Sequence, residues 1–227
     1  MIHNRKVAAL VPIKEHSERV KGKNFRDFCG KPLYEHIIQT LDQTYAVDEI
    51  LINTDSHRVV LEAPKLSPKI RIIERPTELR GDFVSMNKII GYDITQTDAE
   101  VFVQTHATNP LLRSATIAHA LKAFVEDEAY DSLFTVNAYH SRFYFPDGKP
   151  VNHDPENLIR TQDLPPLYEE NSCLYVFTKE SFGQKNRRIG VKPKLYPTPS
   201  IESVDIDDEL TFRLAELLAL YGTKTAV

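Results

Sequence analysis

The chain has 227 residues, a formal net charge of −4, 41% hydrophobic and 26% charged residues, eight glycines and two cysteines. Glycine at roughly half its usual share leaves no GxxxxGK(S/T) phosphate loop and no GxGxxG dinucleotide turn. The negative charge argues against nucleic acid as a partner, and the lack of a long apolar run argues against a membrane span. Cys29 and Cys173 lie far apart and show no metal-ligand spacing and no disulfide framework, so reduced thiols in a cytoplasmic protein are expected, and the length suits a single domain over residues 1–227.

The apolar run Val7–Val11, closed by Pro12, has the pattern of a strand buried on both faces rather than of a signal peptide. After a basic loop, Gly30-Lys31-Pro32 opens a helix with Leu33, Ile37, Ile38 and Leu41 on its apolar face. Glu49–Ile52 and Ile70–Ile73 read as strands, the first ending in Asn53-Thr54-Asp55; Met86–Ile94 reads as a helix. Val101–Val103 is a further buried strand, running into Gln104-Thr105-His106. Ser114 is expected to cap a helix carrying Ile117, Leu121, Phe124 and Val125, and Ser132–Val136 is the next strand. Residues 138–170 lose all periodicity and are rich in proline and aromatics: an irregular arm that packs on a second subunit, or an excursion packed on its own domain. Cys173–Phe177 resumes the strand pattern. A last helix runs from about Asp208 to Tyr221, with Leu210, Leu214, Leu217, Leu218 and Tyr221 at helical spacing, and Gly222 stops it. The alternation predicts an α/β fold, a mostly parallel sheet with helices on both faces.

In such sheets ligands bind beyond the carboxyl ends of the strands. Three polar clusters fall there: the loop after Val11, the Asn53–Asp55 turn, and Gln104–Arg113. The loop carries Lys14, Arg19, Lys21, Lys23 and Arg26 against Glu15 and Glu18, and reads either as an anion cradle or as a solvated basic loop. Near the other end, Glu202, Asp205, Asp207, Asp208 and Glu209 form an acidic cluster. In an extended segment the carboxylates of Asp205 and Asp207 face one side, a donor pair suited to Mg²⁺; alternatively they serve a helix N-terminus, as Asp208 and Glu209 are expected to do.

These residues resemble the acylneuraminate cytidylyltransferases, whose opening signature reads approximately P-A-R-G-G-S-K-G-I-P-G-K-N. Residues 12–24 match it in length and keep Pro12, Ser17, Gly22, Lys23 and Asn24, followed by Gly30-Lys31-Pro32-Leu33. Asn53-Thr54-Asp55, Arg75-Pro76 with Asp82, Thr108-Asn109-Pro110-Leu111, Arg160 to Tyr175 with Asn171, and Asp205-Ile206-Asp207 are similar to later family motifs, in order along nearly the whole chain. The departures are Lys14 for arginine, Glu15-His16 for a glycine pair, Lys21 for proline, His106 for glutamine, Thr161 for glutamine and Ser172 for glycine.

The resemblance implies a Rossmann-like nucleotidyltransferase that couples CTP to an acidic 2-keto-3-deoxy sugar and releases pyrophosphate. It implies Mg²⁺ on Asp205 and Asp207, and a nucleotide site of Pro12, Lys14, Ser17, Gly22, Lys23, Asn24, Arg75 and Asp82, with Lys23, Asp207 and Lys14 catalytic. It implies an acceptor site of Gln104, His106, Arg160, Asn171 and Tyr175, and a homodimer made through residues 138–170. A 3-deoxy-manno-octulosonate cytidylyltransferase, another sugar-nucleotide pyrophosphorylase and a non-catalytic nucleotide-binding protein of the same fold are the alternatives.

Overall fold

The structure, a computed structural model, describes residues 2, 4–17 and 20–222. Among these residues, seven strands form one sheet in the order β5-β4-β1-β6-β8-β7-β9. The strands are β1 (Val7–Ile13), β4 (Glu49–Thr54), β5 (Ile70–Glu74), β6 (Val101–Gln104), β7 (Ser132–Tyr139), β8 (Leu167–Thr178) and β9 (Pro193–Pro197). β2 (Asp27–Phe28) and β3 (Lys31–Pro32) make a separate short hairpin. Every pairing in the large sheet is parallel except those of β8, which runs antiparallel to both β6 and β7.

Side chains along β1 alternate between two apolar layers. Val7, Ala9, Val11 and Ile13 pack with Ile37, Ile38 and Leu41 of α1 (Leu33–Gln43), Val59 of α2 (His57–Glu62), and Ile117 and Leu121 of α4 (Ser114–Val125). Ala8 and Leu10 face the other layer, with Ile90 of α3 (Met86–Asp93) and Phe182 beneath β8, on α5 (Lys179–Lys185). Cover on both faces explains why the central strands are continuous apolar runs. A third, smaller core packs Phe212 and Ala215 of α6 (Glu209–Tyr221) and Ile206 against Phe28 and Leu33, seating the C-terminal helix on the hairpin.

β1 lies between β4 and β6, so the chain winds outward from it in both directions and the sheet has its switch point there. Register sets Pro12 beside Asn53, Ile13 beside Thr54 and Leu10 beside Gln104, which brings the carboxyl ends of three strands to one edge.

Several expectations change. The irregular stretch shrinks from 138–170 to 140–166, because Ala138 and Tyr139 pair with Tyr168 and Leu167. Within it, Phe145 N–H donates to Lys149 O and Val151 N–H to Phe143 O, closing a small turned-back loop. The N-cap of α4 is Arg113, without a side-chain cap, and Ser114 is the first helical residue. On α6, Leu210, Leu214, Leu217 and Tyr221 are exposed, because the helix meets only the narrow hairpin core and turns Phe212 and Ala215 toward it. Among the described residues, no helix is long and apolar enough to cross a membrane.

Candidate active site

Gly22 starts the site. Its φ of +62° lies in the left-handed region open to glycine, and there it caps a short 3₁₀ turn, Lys23–Phe25. That turn carries the Lys23 and Asn24 side chains inward, where both are buried. Lys23 Nζ donates to the backbone carbonyl of Ile206, and Asn24 Nδ2 donates to Lys14 O at 2.9 Å. From β4, Asp55 Oδ1 accepts Glu15 N–H at 2.8 Å and pins the start of the loop. Of the loop residues, Arg19 and Glu18 lie outside the described residues.

The acidic segment arrives from the far end of the chain. Ile206 N–H donates to Thr108 O at 2.9 Å and the Ile206 side chain is buried, so Asp205 and Asp207 flank an anchored residue. Both aspartates line one cavity of about 460 Å³ with Pro12, Lys14, Ser17, Lys23, Asn24, Arg75, Asp82 and His106. His16, Met86, Ile89, Ala107, Thr108 and Ser172 complete its wall. Lys14 Nζ meets Asp82 Oδ1 at 2.9 Å across the space.

Arg75 is nearly fully buried. Its Nε donates to Asn53 Oδ1 at 2.7 Å, and Nη2 to Asn53 O at 2.8 Å and Ile13 O at 3.4 Å. Asn53 Nδ2 donates in turn to Asp93 Oδ1 at 2.5 Å. The guanidinium therefore ties the ends of β1 and β4 together as well as facing the cavity. Burial draws its pKa down, against the carboxylates of Asp55 and Asp93. Burial also drives Asp93 up to about 7, against the Asn53 hydrogen bond and the Arg75 charge.

The residues expected at the acceptor end separate. His106 lines the cavity, and its pKa falls to about 3 through burial, reinforced by the charges of Arg188 and Lys23. Gln104 is fully buried behind it. Asn171 is a structural clasp: Oδ1 accepts from Thr135 Oγ1 at 2.6 Å, and Nδ2 donates to Asn137 Oδ1 at 3.1 Å and Thr198 Oγ1 at 2.7 Å. Tyr175 is a core residue whose hydroxyl donates to Glu170 and lies 3.2 Å from Ser172 Oγ; burial lifts its pKa to about 12. Arg160 stands exposed in the 140–166 stretch, paired with Asp163 at 2.7 Å, and is not part of the cavity wall.

Ser172 reaches the cavity through a β-bulge. Pairing of β7 with β8 shifts register between Phe134 and Val136, and Ser172 takes a φ of +59° there. Arg188 carries no motif that would single it out in the sequence; only the fold brings it behind His106. Among the described residues, no cluster of three or more His, Cys, Asp or Glu side chains surrounds a metal position. Asp205 and Asp207 line the cavity together, two carboxylates whose chemistry fits Mg²⁺ drawing its other ligands from phosphate and water.

The cytidylyltransferase family matches residues 8–215. The chain is 23% identical over 220 residues to a pseudaminic acid cytidylyltransferase of Campylobacter jejuni, covering 92% of this chain and 94% of that one. It is 26% identical over 227 residues to a CMP-N,N'-diacetyllegionaminic acid synthase of Legionella pneumophila, covering 94% and 96%. In fold it is similar to a CMP:2-keto-3-deoxy-manno-octonic acid synthetase complexed with CTP, with a TM-score of 0.67 and 16% identity over 96% of this chain and 99% of that one.

Proposed function

The chain belongs to the cytidylyltransferase family, and we propose that it transfers CMP from CTP to an acidic 2-keto-3-deoxy sugar of the nonulosonate type, releasing pyrophosphate. The observation that carries this reading is the meeting of Lys14, Lys23, Asp205 and Asp207 around one cavity at the carboxyl ends of β1 and β6. Named relatives that act on such sugars support the choice of acceptor.

In the proposed reaction the anomeric hydroxyl attacks the α-phosphorus of CTP, the new O–P bond forms as the bond to pyrophosphate breaks, and the hydroxyl proton leaves to solvent. Such a displacement needs alignment and charge neutralisation more than covalent help from the protein. Lys23, Ser17 and Asn24 hold the triphosphate, Pro12 lines the cavity beside them, and Gly22 gives the loop its shape. Lys23 is held in place by Ile206 O and neutralises the departing pyrophosphate. Lys14 joins it by exchanging Asp82 for phosphate, which releases Asp82 toward the base. Asp205 and Asp207 would hold Mg²⁺, which when bound supplies a further counter-charge on the phosphates. Arg75 shapes the floor beneath the base-side loop. His106 and Ser172 face the sugar acid.

We further propose a homodimer formed through residues 140–166, where Tyr144, Phe145, Val151, Leu158 and Ile159 are exposed together. Light scattering should give twice the mass of the 26.0 kDa chain; a monomer would rule this surface out. A CTP substrate and two free cysteines support a cytoplasmic location.

The test is pyrophosphate release from CTP, UTP and GTP with Mg²⁺ and a panel of sialic, legionaminic, pseudaminic and octulosonic acids. Release with CTP and a nonulosonate is expected. CTP binding without release from any acid would replace this reading with a non-catalytic one, and preference for octulosonate would change the acceptor.

A further inference from the structure

Arg188 follows α5 in a loop that is firmly anchored. Asp131 accepts Val191 N–H at 2.7 Å and Lys192 N–H at 3.0 Å, and Gly190 N–H donates to Ser132 Oγ at 2.9 Å. A side chain at Gly190 would place its Cβ 2.3 Å from Asp131 Oδ1, so the approach needs glycine. Arg188 N–H donates to Asn87 Oδ1 at 3.2 Å, tying the same loop to the start of α3. The guanidinium lies over the Tyr175 ring, 3.6 Å from its centroid, with Glu170 at 3.8 Å.

From that position Arg188 Nη1 donates to Gln104 Oε1 at 2.6 Å. Gln104 Nε2 donates to Thr105 O at 3.0 Å and lies 3.1 Å from His106 Nε2. Only one orientation of the amide satisfies these contacts. Guanidinium can only donate and a backbone carbonyl can only accept, so the reversed amide would make two contacts between like groups. With the orientation set, Gln104 presents an N–H to His106 Nε2. That nitrogen must accept, and a neutral ring that accepts at Nε2 carries its proton on Nδ1.

We propose that Arg188 is a positioning residue for the acceptor end of the site: through Gln104 it fixes His106 as a neutral imidazole protonated on Nδ1. The inference rests on the acceptor reading above only for its functional consequence. His106 then has no free basic nitrogen, cannot take the proton of the attacking hydroxyl, and serves as an N–H donor to oxygen atoms of the sugar acid. The low pKa of His106 agrees with a neutral ring.

The experiment is nitrogen NMR of the protein labelled at its eight histidines, at pH 7.5, with His106 assigned by loss of its signals in His106→Gln. The wild type should show an unprotonated Nε2 and a protonated Nδ1. A protonated Nε2, or an imidazolium, overturns the proposal without any turnover being needed. Arg188→Met should give mixed tautomers and raise the acceptor KM at least tenfold, with the CTP KM within twofold of wild type. Gln104→Glu offers no donor to Nε2 and should move the proton onto that nitrogen. An unchanged tautomer in these variants, or acceptor and CTP constants rising together, would reduce Arg188 to a structural role. A wild type with the expected tautomer but no activity on any acid refutes the proposed function and leaves the tautomer assignment standing.

Discussion

Asp207 and Lys23 reach one cavity from opposite ends of the chain, and their variants separate two jobs. Asp207→Asn keeps the shape of the side chain and removes half of the carboxylate pair. Turnover with CTP, Mg²⁺ and the preferred acid should fall at least ~100-fold, about 2.7 kcal/mol of transition-state stabilisation; near-normal turnover would remove the metal role. Lys23→Ala removes a buried ammonium from the cavity wall. The kcat/KM for CTP should fall at least roughly tenfold, about 1.4 kcal/mol, with a smaller change in the KM for the acid; unchanged CTP constants would refute the loop assignment. That Lys14, Ser17, Lys23, Asn24, Asp205 and Asp207 would line one cavity was legible in the sequence because they sit in one loop and one short acidic segment, directly after a strand and directly before a helix. The wall around His106 was not. Asn171 and Tyr175 are polar residues of an internal strand, and only the bulge at Ser172 decides which side chain reaches the cavity. Arg188 reaches the back of His106 through the Gln104 amide, a contact across 84 positions that local spacing does not encode.

At the scale of elements, legibility followed burial. β1, β4 and β6 are covered on both faces and show as apolar runs, whereas α2 and α5 span only six and seven residues, too short for a helical period to stand out. β9 carries two prolines and lies at the sheet edge, where a strand pattern is weakest. The apolar period of α6 shows in the sequence, but the exposure of Leu210, Leu214, Leu217 and Tyr221 does not, since spacing identifies a stripe and not what covers it. The start of α6 is explicit: the Asp208 side chain accepts Thr211 N–H at 2.7 Å, and Thr211 Oγ1 accepts Asp208 N–H at 3.0 Å. Asp208→Ala should cost about 1 kcal/mol, lowering Tm by roughly 2–4 °C in a domain of this size. Because the cap directly follows Asp207, the same variant should also loosen the segment that carries Asp205 and Asp207. A raised Mg²⁺ requirement alongside the Tm shift would show that the helix start aims the carboxylate; an unchanged requirement would confine the cap to stability.

At the scale of the molecule, the chain closes on itself through its site. Lys23 bonds the Ile206 carbonyl, Arg26 pairs with Glu209, and the Arg26 guanidinium lies 4.1 Å from the centre of the Phe212 ring. The basic and acidic clusters that stand far apart in sequence are thus neighbours, and the site cannot be complete before the last helix docks. Beneath it, the buried group formed by Arg75, Asn53 and Asp93 couples this architecture to pH. Asp93 Oδ2 finds no hydrogen-bond partner among the described residues, and the carboxyl titrates at about 7 rather than at its ordinary 3.8. Below pH ~4 the folded and unfolded chains both hold the proton, and Asp93 adds no pH dependence. Between pH ~4 and ~7 the folded chain keeps a proton that the unfolded chain has released, so stability falls as pH rises; above ~7 the loss is complete. At about 1.4 kcal/mol per unit, the full loss is at most several kcal/mol. Asp93→Asn keeps an acceptor for Asn53 Nδ2 and cannot ionise. The Tm of the variant minus that of the wild type should therefore climb steadily from pH 4 to pH 7 and level off by pH 8. Parallel curves across that window would mean that Asp93 ionises near its ordinary value in the folded protein, with Arg75 holding it charged.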